Sequence, residues 1–132
     1  MSGATAPKLL PLLVIEDEAS VMAYIRTALE RSGYDVCGAH SGKDALILLA
    51  EHEFSGVISD MRTPGGIDGA DVYSWLEANR PELARKLIFI TGDTVSDDTA
   101  ATLKATGAPV IEKPFRVHQL IDMVERTIGA AK

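Results

Sequence analysis

The sequence predicts an α/β domain of the doubly wound kind: five parallel strands in one sheet, with helices on both faces. Three observations predict it. Short β-branched runs alternate with longer segments of helical spacing, and the alternation repeats five times. The runs are near-continuously apolar, as strands covered on both faces are. At 132 residues the chain is one ordinary domain, which buries roughly two-thirds of its unfolded surface and needs no staple.

Taken in order, Leu12–Ile15 is the first strand. Ala19–Arg31 follows as a helix with Val21, Ile25, Ala28 and Leu29 on its apolar face and Gly33 to end it. Asp35–Ala39 is the second strand, and Ser41 caps the next helix, with Asp44 three residues on and Ala45, Leu48 and Leu49 facing inward. The third strand, Val57–Ser59, leads through a Gly65-Gly66 turn to a helix over Gly69–Asn79 that ends before Pro81. Leu87–Ile90 is the fourth strand. Ser96-Asp97-Asp98 opens a helix with acids at the positive end of its dipole, although Thr99, Thr102 and Thr106 lower its propensity. Pro109–Ile111 is the fifth strand, and the last helix presents Leu120, Ile121, Val124 and Ile128. Residues 1–8 read as a tail or linker, and residues 9–130 as the domain.

Composition narrows the function. Thirteen basic residues against nineteen acidic ones leave a net charge of −6. That balance argues against a nucleic-acid or anionic-membrane surface, both of which need a basic patch. Cys37 stands alone, so no internal disulfide can form, and a reducing, cytoplasmic setting is expected. The longest apolar run, Leu9 to Ile15, is too short to span a bilayer. No G-x-G-x-x-G or P-loop lysine motif supports nucleotide binding. His40, His52 and His118 lack metal-ligand spacing and read as surface residues; Cys37 reads as a small core residue and Trp75 as a packing residue.

Ligands of an open α/β sheet bind beyond the carboxyl ends of its strands. Here the first strand runs into Glu16-Asp17-Glu18 and the third ends at Ser59-Asp60. Thr91-Gly92-Asp93 closes the fourth, and Glu112-Lys113-Pro114 closes the fifth. Carboxylates gathered at one edge repel one another unless a cation lies between them, and an oxygen-only set suits a hard ion such as Mg²⁺. Each residue also has a plain structural reading. The three acids could start a helix, Asp60 and Thr91 could be turn residues, and Lys113 could be an exposed lysine. All of these would have to hold together at one edge of one sheet.

Glu16-Asp17, Asp60, Thr91 and Lys113-Pro114-Phe115, in that order and at those strand ends, resemble the signature of response-regulator receiver domains of two-component signalling. The resemblance spans about residues 9–128 and implies a flavodoxin-like fold with strand order 2-1-3-4-5. It implies that Asp60 accepts a phosphoryl group from a phosphohistidine. Glu16, Asp17, Asp60 and the backbone carbonyl of Arg62 would hold Mg²⁺, with Mn²⁺ as a substitute. Lys113 would pair with Asp60 and then with a phosphoryl oxygen, and the Thr91 hydroxyl would bond another. Gly92 would leave room beside the phosphoryl group, and Pro114 would fix the lysine's loop through a cis peptide. The implied partners are the dimerisation or phosphotransfer helices of a histidine kinase or a histidine phosphotransfer protein, with a weak homodimer also expected. No catalysis beyond the domain's own phosphorylation and dephosphorylation is expected.

The sequence departs from the family pattern in places. Val110 stands where receivers carry an aromatic residue that rotates with the threonine on phosphorylation. Thr63 replaces a frequent methionine before Pro64, and the loop Gly65-Gly66-Ile67-Asp68-Gly69 is one residue longer than the common one. The stretches around Thr91 and from Gly107 to Phe115 are similar to receivers at the C-terminal end of hybrid sensor histidine kinases; a single-domain regulator is the other context. Met22 reads either as a partner contact or as a residue of the core margin. Two further readings stay open at this point. One is a pseudo-receiver that binds protein without switching, which Val110 keeps alive; the other is a small Mg²⁺-dependent phosphatase with an aspartyl nucleophile.

Overall fold

Burial on both faces is what near-continuous apolar runs demand, and the strands obey it: every residue of Leu12–Ile15, Gly56–Asp60 and Leu87–Thr91 is buried. A computed structural model describes residues 10–62, 65–92 and 97–131. The expected tail at 1–8, Thr63 and Pro64, Asp93 and the helix-opening Ser96 lie outside the described residues. Along the chain the elements are β1 (Leu12–Ile15), α1 (Ala19–Arg31), β2 (Val36–Ala39), α2 (Gly42–Glu51), β3 (Gly56–Asp60), α3 (Gly69–Asn79), α4 (Pro81–Ala84), β4 (Leu87–Thr91), α5 (Asp97–Thr106), β5 (Val110–Glu112) and α6 (Val117–Thr127).

The five strands form one parallel sheet in the order β2-β1-β3-β4-β5. The chain reverses direction across the sheet between β1 and β3, and the crevice at that switch point lies above Ile15 and its register partner Ser59. On one face Leu12, Val14, Ile58, Ile88 and Ile90 pack against Ile25, Leu29, Leu120 and Val124 of α1 and α6. On the other, Leu13, Ile15, Val57, Leu87 and Phe89 pack against Leu49, Val72, Leu76 and Leu83. Each such side chain contributes about 1.5–3 kcal/mol by leaving water.

Local chemistry sets the element ends. Ser41 Oγ accepts the Asp44 amide at 3.1 Å, as its position predicts. Gly33 ends α1 with φ +97°, open to glycine at no steric cost. Asp68 and Asp71 cap α3 reciprocally, each side chain taking the other's amide at 3.0 Å, a box the sequence reading did not identify.

The structure corrects four expectations. Pro81 does not simply end a helix: it opens α4, where a first-position proline has no N–H to satisfy, and Leu83 and Ala84 are buried. Four residues are too few for periodicity to reveal. The stripe of α1 is rotated, so Met22 is buried at 6% exposure while Val21 is half-buried. Met22 therefore belongs to the core, its thioether resting over Gly38 of β2. Cys37 is half-buried, because β2 is an edge strand. Strands β3, β4 and β5 each run to the residue singled out for chemistry or next to it, because the ladder continues through the Met61 amide on Ile90 O (2.9 Å) and the Lys113 amide on Thr91 O (2.8 Å). Trp75 is half-buried against the second core, and all three histidines are exposed.

Candidate functional site

Three strand ends and one following loop converge. Asp60 closes β3 and is 8% exposed. Its Oδ1 accepts the Arg62 amide at 3.2 Å, and its Oδ2 accepts the Lys113 ammonium at 3.0 Å. Glu16 follows β1 directly and is fully buried. Its Oε2 accepts the Glu18 amide at 3.1 Å, while its Oε1 lies 3.2 Å from Lys113 Nζ without the alignment of a hydrogen bond. Asp17 is exposed at the rim. Thr91 is buried at the end of β4, one residue beyond the Ile90 that pairs with Asp60.

Lys113 holds this group together electrostatically. It lies beyond the end of β5, its amide on the Thr91 carbonyl, and its peptide bond to Pro114 is cis as expected. Its ammonium faces Asp60, Glu16 and, at 3.9 Å, the exposed Glu18. Burial pushes the Glu16 carboxyl above its usual range; the Glu18 amide opposes that, the Asp60 charge adds to it, and Lys113 opposes it again. Burial alone would lower the Lys113 ammonium. The hydrogen bond and charge of Asp60, then the close charge of Glu16, outweigh it, so Lys113 stays protonated above its usual value.

The residues fit a hard divalent cation. Glu16, Asp17 and Asp60 each offer a carboxylate oxygen, the three atoms within 4.8 Å of one another. All are oxygen donors, and the buried Glu16 Oε1 makes no hydrogen bond, with only the charge of the Lys113 ammonium at 3.2 Å to offset its burial, so it keeps lone pairs for a metal ion. A helix-start reading of Glu16 does not account for a fully buried carboxylate three residues before α1.

The other expected residues take distinct places. A Cβ built on Gly92 meets nothing within 4 Å, so the space beside the end of β4 is open. Val110 is half-buried beside Phe89, its register partner, on the face of α2 and α3. Sequence reasoning missed two contributors. A Cβ on Gly69 would lie 2.8 Å from Asp60 O and 3.0 Å from the Phe89 ring, so glycine lets α3 start directly against the end of β3. A glycine at a first helical position, nine residues after a strand-end aspartate, was the available signal. Glu18 was visible as the last of the three acids after β1, but its place 3.9 Å from Lys113 was not.

Comparison with known proteins agrees with the geometry. The family described as response regulator receiver domain matches residues 12–125. The response regulator receiver protein CpdR of Brucella abortus is 29% identical over 120 residues, covering 91% of this chain and 98% of that one. A CheY-like receiver domain protein from Methanospirillum hungatei shares the fold at TM-score 0.81 and 22% identity, over 91% of this chain and 94% of that one. The receiver domain of a signal transduction histidine kinase from Syntrophus aciditrophicus aligns at TM-score 0.80 and 25% identity, over 90% and 89% of the two chains. With that family match spanning the whole sheet and the acidic site at its carboxyl edge, the chain belongs to the receiver domains of two-component response regulators.

Proposed function

We propose that Asp60 is the phosphoacceptor of this receiver and takes its phosphoryl group from a phosphohistidine on a partner protein. The observation that carries the reading is the contact of Lys113 Nζ with Asp60 at 3.0 Å and Glu16 at 3.2 Å, with a buried Glu16 oxygen left without a hydrogen bond. In the transfer, an Asp60 carboxylate oxygen attacks phosphorus. The new O–P bond forms as the P–N bond breaks, and the imidazole nitrogen keeps the bonding pair and takes up a proton. The acyl phosphate that results has lost the carboxylate charge, which frees the Lys113 ammonium to pair with a phosphoryl oxygen. The Thr91 hydroxyl donates to a second oxygen, and open space beside Gly92 admits the group.

Glu16, Asp17 and Asp60, with the Arg62 carbonyl, would hold Mg²⁺ or Mn²⁺, which when bound supplies the positive charge that lets an anionic phosphoryl group approach three carboxylates. The partner presents its histidine on a helix, from a histidine kinase or a phosphotransfer protein. Residues 9–130 form the receiver, 1–8 a tail or linker, and the setting is cytoplasmic, where ATP charges the histidine. A single-domain regulator is one context, supported by likeness to the receiver protein CpdR. The hybrid-kinase context is a second reading, favoured by likeness to the receiver of a histidine kinase. With Val110 in place of an aromatic residue, output does not pass through a ring on β5. Intact mass after incubation with acetyl phosphate tests the proposal: one phosphoryl adduct is expected with Mg²⁺, and none without it or in Asp60→Asn. An adduct of equal yield in Asp60→Asn would overturn it.

A further inference from the structure

Lys113 can act on Asp60 only if the segment behind it holds still, and the structure shows what holds it. On the side of β4, the Lys113 amide bonds Thr91 O at 2.8 Å. On the side of α1, the Tyr24 hydroxyl donates to the carbonyl of Phe115 at 3.2 Å, two residues beyond the lysine. The two rings also meet, with centroids 5.6 Å apart and planes tilted by 56°. Phe115 is itself buried at 9% exposure and belongs to the core beneath α1 and α6. Tyr24 is 43% exposed, so it contributes little to the core it borders. A largely apolar groove of about 410 Å³ separates α1 from this segment and is lined by Ser20, Val21, Tyr24, Lys113, Pro114 and Phe115. Tyr24 is the side chain that spans it by hydrogen bond.

We infer that Tyr24 is a positioning residue for phosphoryl transfer: it ties the Lys113–Phe115 segment to α1 and so sets where the Lys113 ammonium stands relative to Asp60. The inference rests on the reading of Asp60 as phosphoacceptor. Tyr24 touches no reacting atom. Its effect passes through the backbone of residues 113–115, and a displacement of even an ångström at a charge 3.0 Å from the nucleophile is costly to a reaction that depends on alignment.

Acetyl phosphate is the discriminating donor, because it has no protein surface to dock. In Tyr24→Phe the ring contact stays and the hydrogen bond goes. Labelling of Asp60 by acetyl phosphate with Mg²⁺ is then expected to slow about two- to tenfold, the factor one neutral hydrogen bond carries. Tm should fall by no more than about 2–6 °C, Mg²⁺ affinity should stay as in the wild type, and the Lys113 ammonium resonance in isotope-labelled protein should shift. Tyr24→Leu, which loses ring and hydroxyl, should be slower still. An unchanged rate and resonance in Tyr24→Phe would overturn the inference, as would a slower rate that only tracks a lower Tm. If the wild type itself takes no phosphoryl group, the reading of Asp60 fails separately. The resonance then decides the role of Tyr24: a shift supports it and no shift overturns it.

Discussion

Replacing Lys113 by methionine keeps the bulk of the side chain and removes the ammonium that stands 3.0 Å from Asp60 and 3.2 Å from Glu16. At these separations and an effective dielectric of about 20, each attraction is about 5 kcal/mol before desolvation. Breaking a buried pair from one side costs about 3–5 kcal/mol, because the remaining charge stays buried and unpaired. The Lys113 side chain is 21% exposed, so solvent screens part of this and about 2–4 kcal/mol is the expected loss. The exposed Glu18, at 3.9 Å, adds little. For a domain of this size each kcal/mol moves Tm by about 3–4 °C, so the variant should melt roughly 6–16 °C lower in EDTA. Magnesium reverses the sign of the comparison. Without the lysine the three carboxylates bind a cation unopposed, so Mg²⁺ should raise Tm more in Lys113→Met than in the wild type. Melting curves by circular dichroism, with EDTA and with Mg²⁺, check both parts. A loss below about 1 kcal/mol, or a smaller Mg²⁺ shift in the variant, would refute the view of Lys113 as the charge that holds the acidic site together.

The remaining predictions address neighbouring residues. The raised Glu16 carboxyl binds its proton more tightly folded than unfolded. In EDTA it therefore stabilises the fold fully below the ordinary glutamate value of about 4.3, and that contribution fades as pH climbs through its elevated folded value. Glu16→Gln should flatten the pH dependence of Tm from there upward, and a profile parallel to the wild type would show that burial of this carboxyl is of no consequence. Gly92→Ala adds a Cβ that meets nothing, so its stability should lie within about 0.5 kcal/mol of the wild type while labelling by acetyl phosphate slows. Gly56→Ala sets a Cβ onto the Ile128 side chain and should cost about 1–3 kcal/mol in urea unfolding. Ile128→Val in the same chain should recover part of that, and independent, additive effects would refute the contact.

Much of the fold was legible because it rests on patterns the chain repeats. β1, α1 and α3 begin and end at the residues their apolar spacing and punctuation indicate, and the sheet follows from five buried runs joined by helices. What escaped depends on contacts between distant segments. The rotation of α1 that buries Met22 is set by Gly38 on the neighbouring strand, and α4 is a single turn created by Pro81 with Leu83 beneath it. The site was legible as a set of strand ends, since topology carries Glu16, Asp60, Thr91 and Lys113 to one edge. Their relation was not: that Glu16 is fully buried with one oxygen outside any hydrogen bond, while Asp17 next to it is exposed, follows from the turn between β1 and α1. Nor could spacing reveal that Tyr24 reaches Phe115 across 91 residues of sequence.

The central claim is that the phosphoryl group goes to Asp60, and its location can be read directly. Borohydride reduces an acyl phosphate on an aspartate to homoserine, a change that tandem mass spectrometry assigns to a single residue. After labelling with acetyl phosphate and Mg²⁺, the account predicts homoserine at position 60 and an intact aspartate at position 17. Homoserine at Asp17, or a phosphoryl group stable to borohydride on one of the exposed histidines, would contradict it.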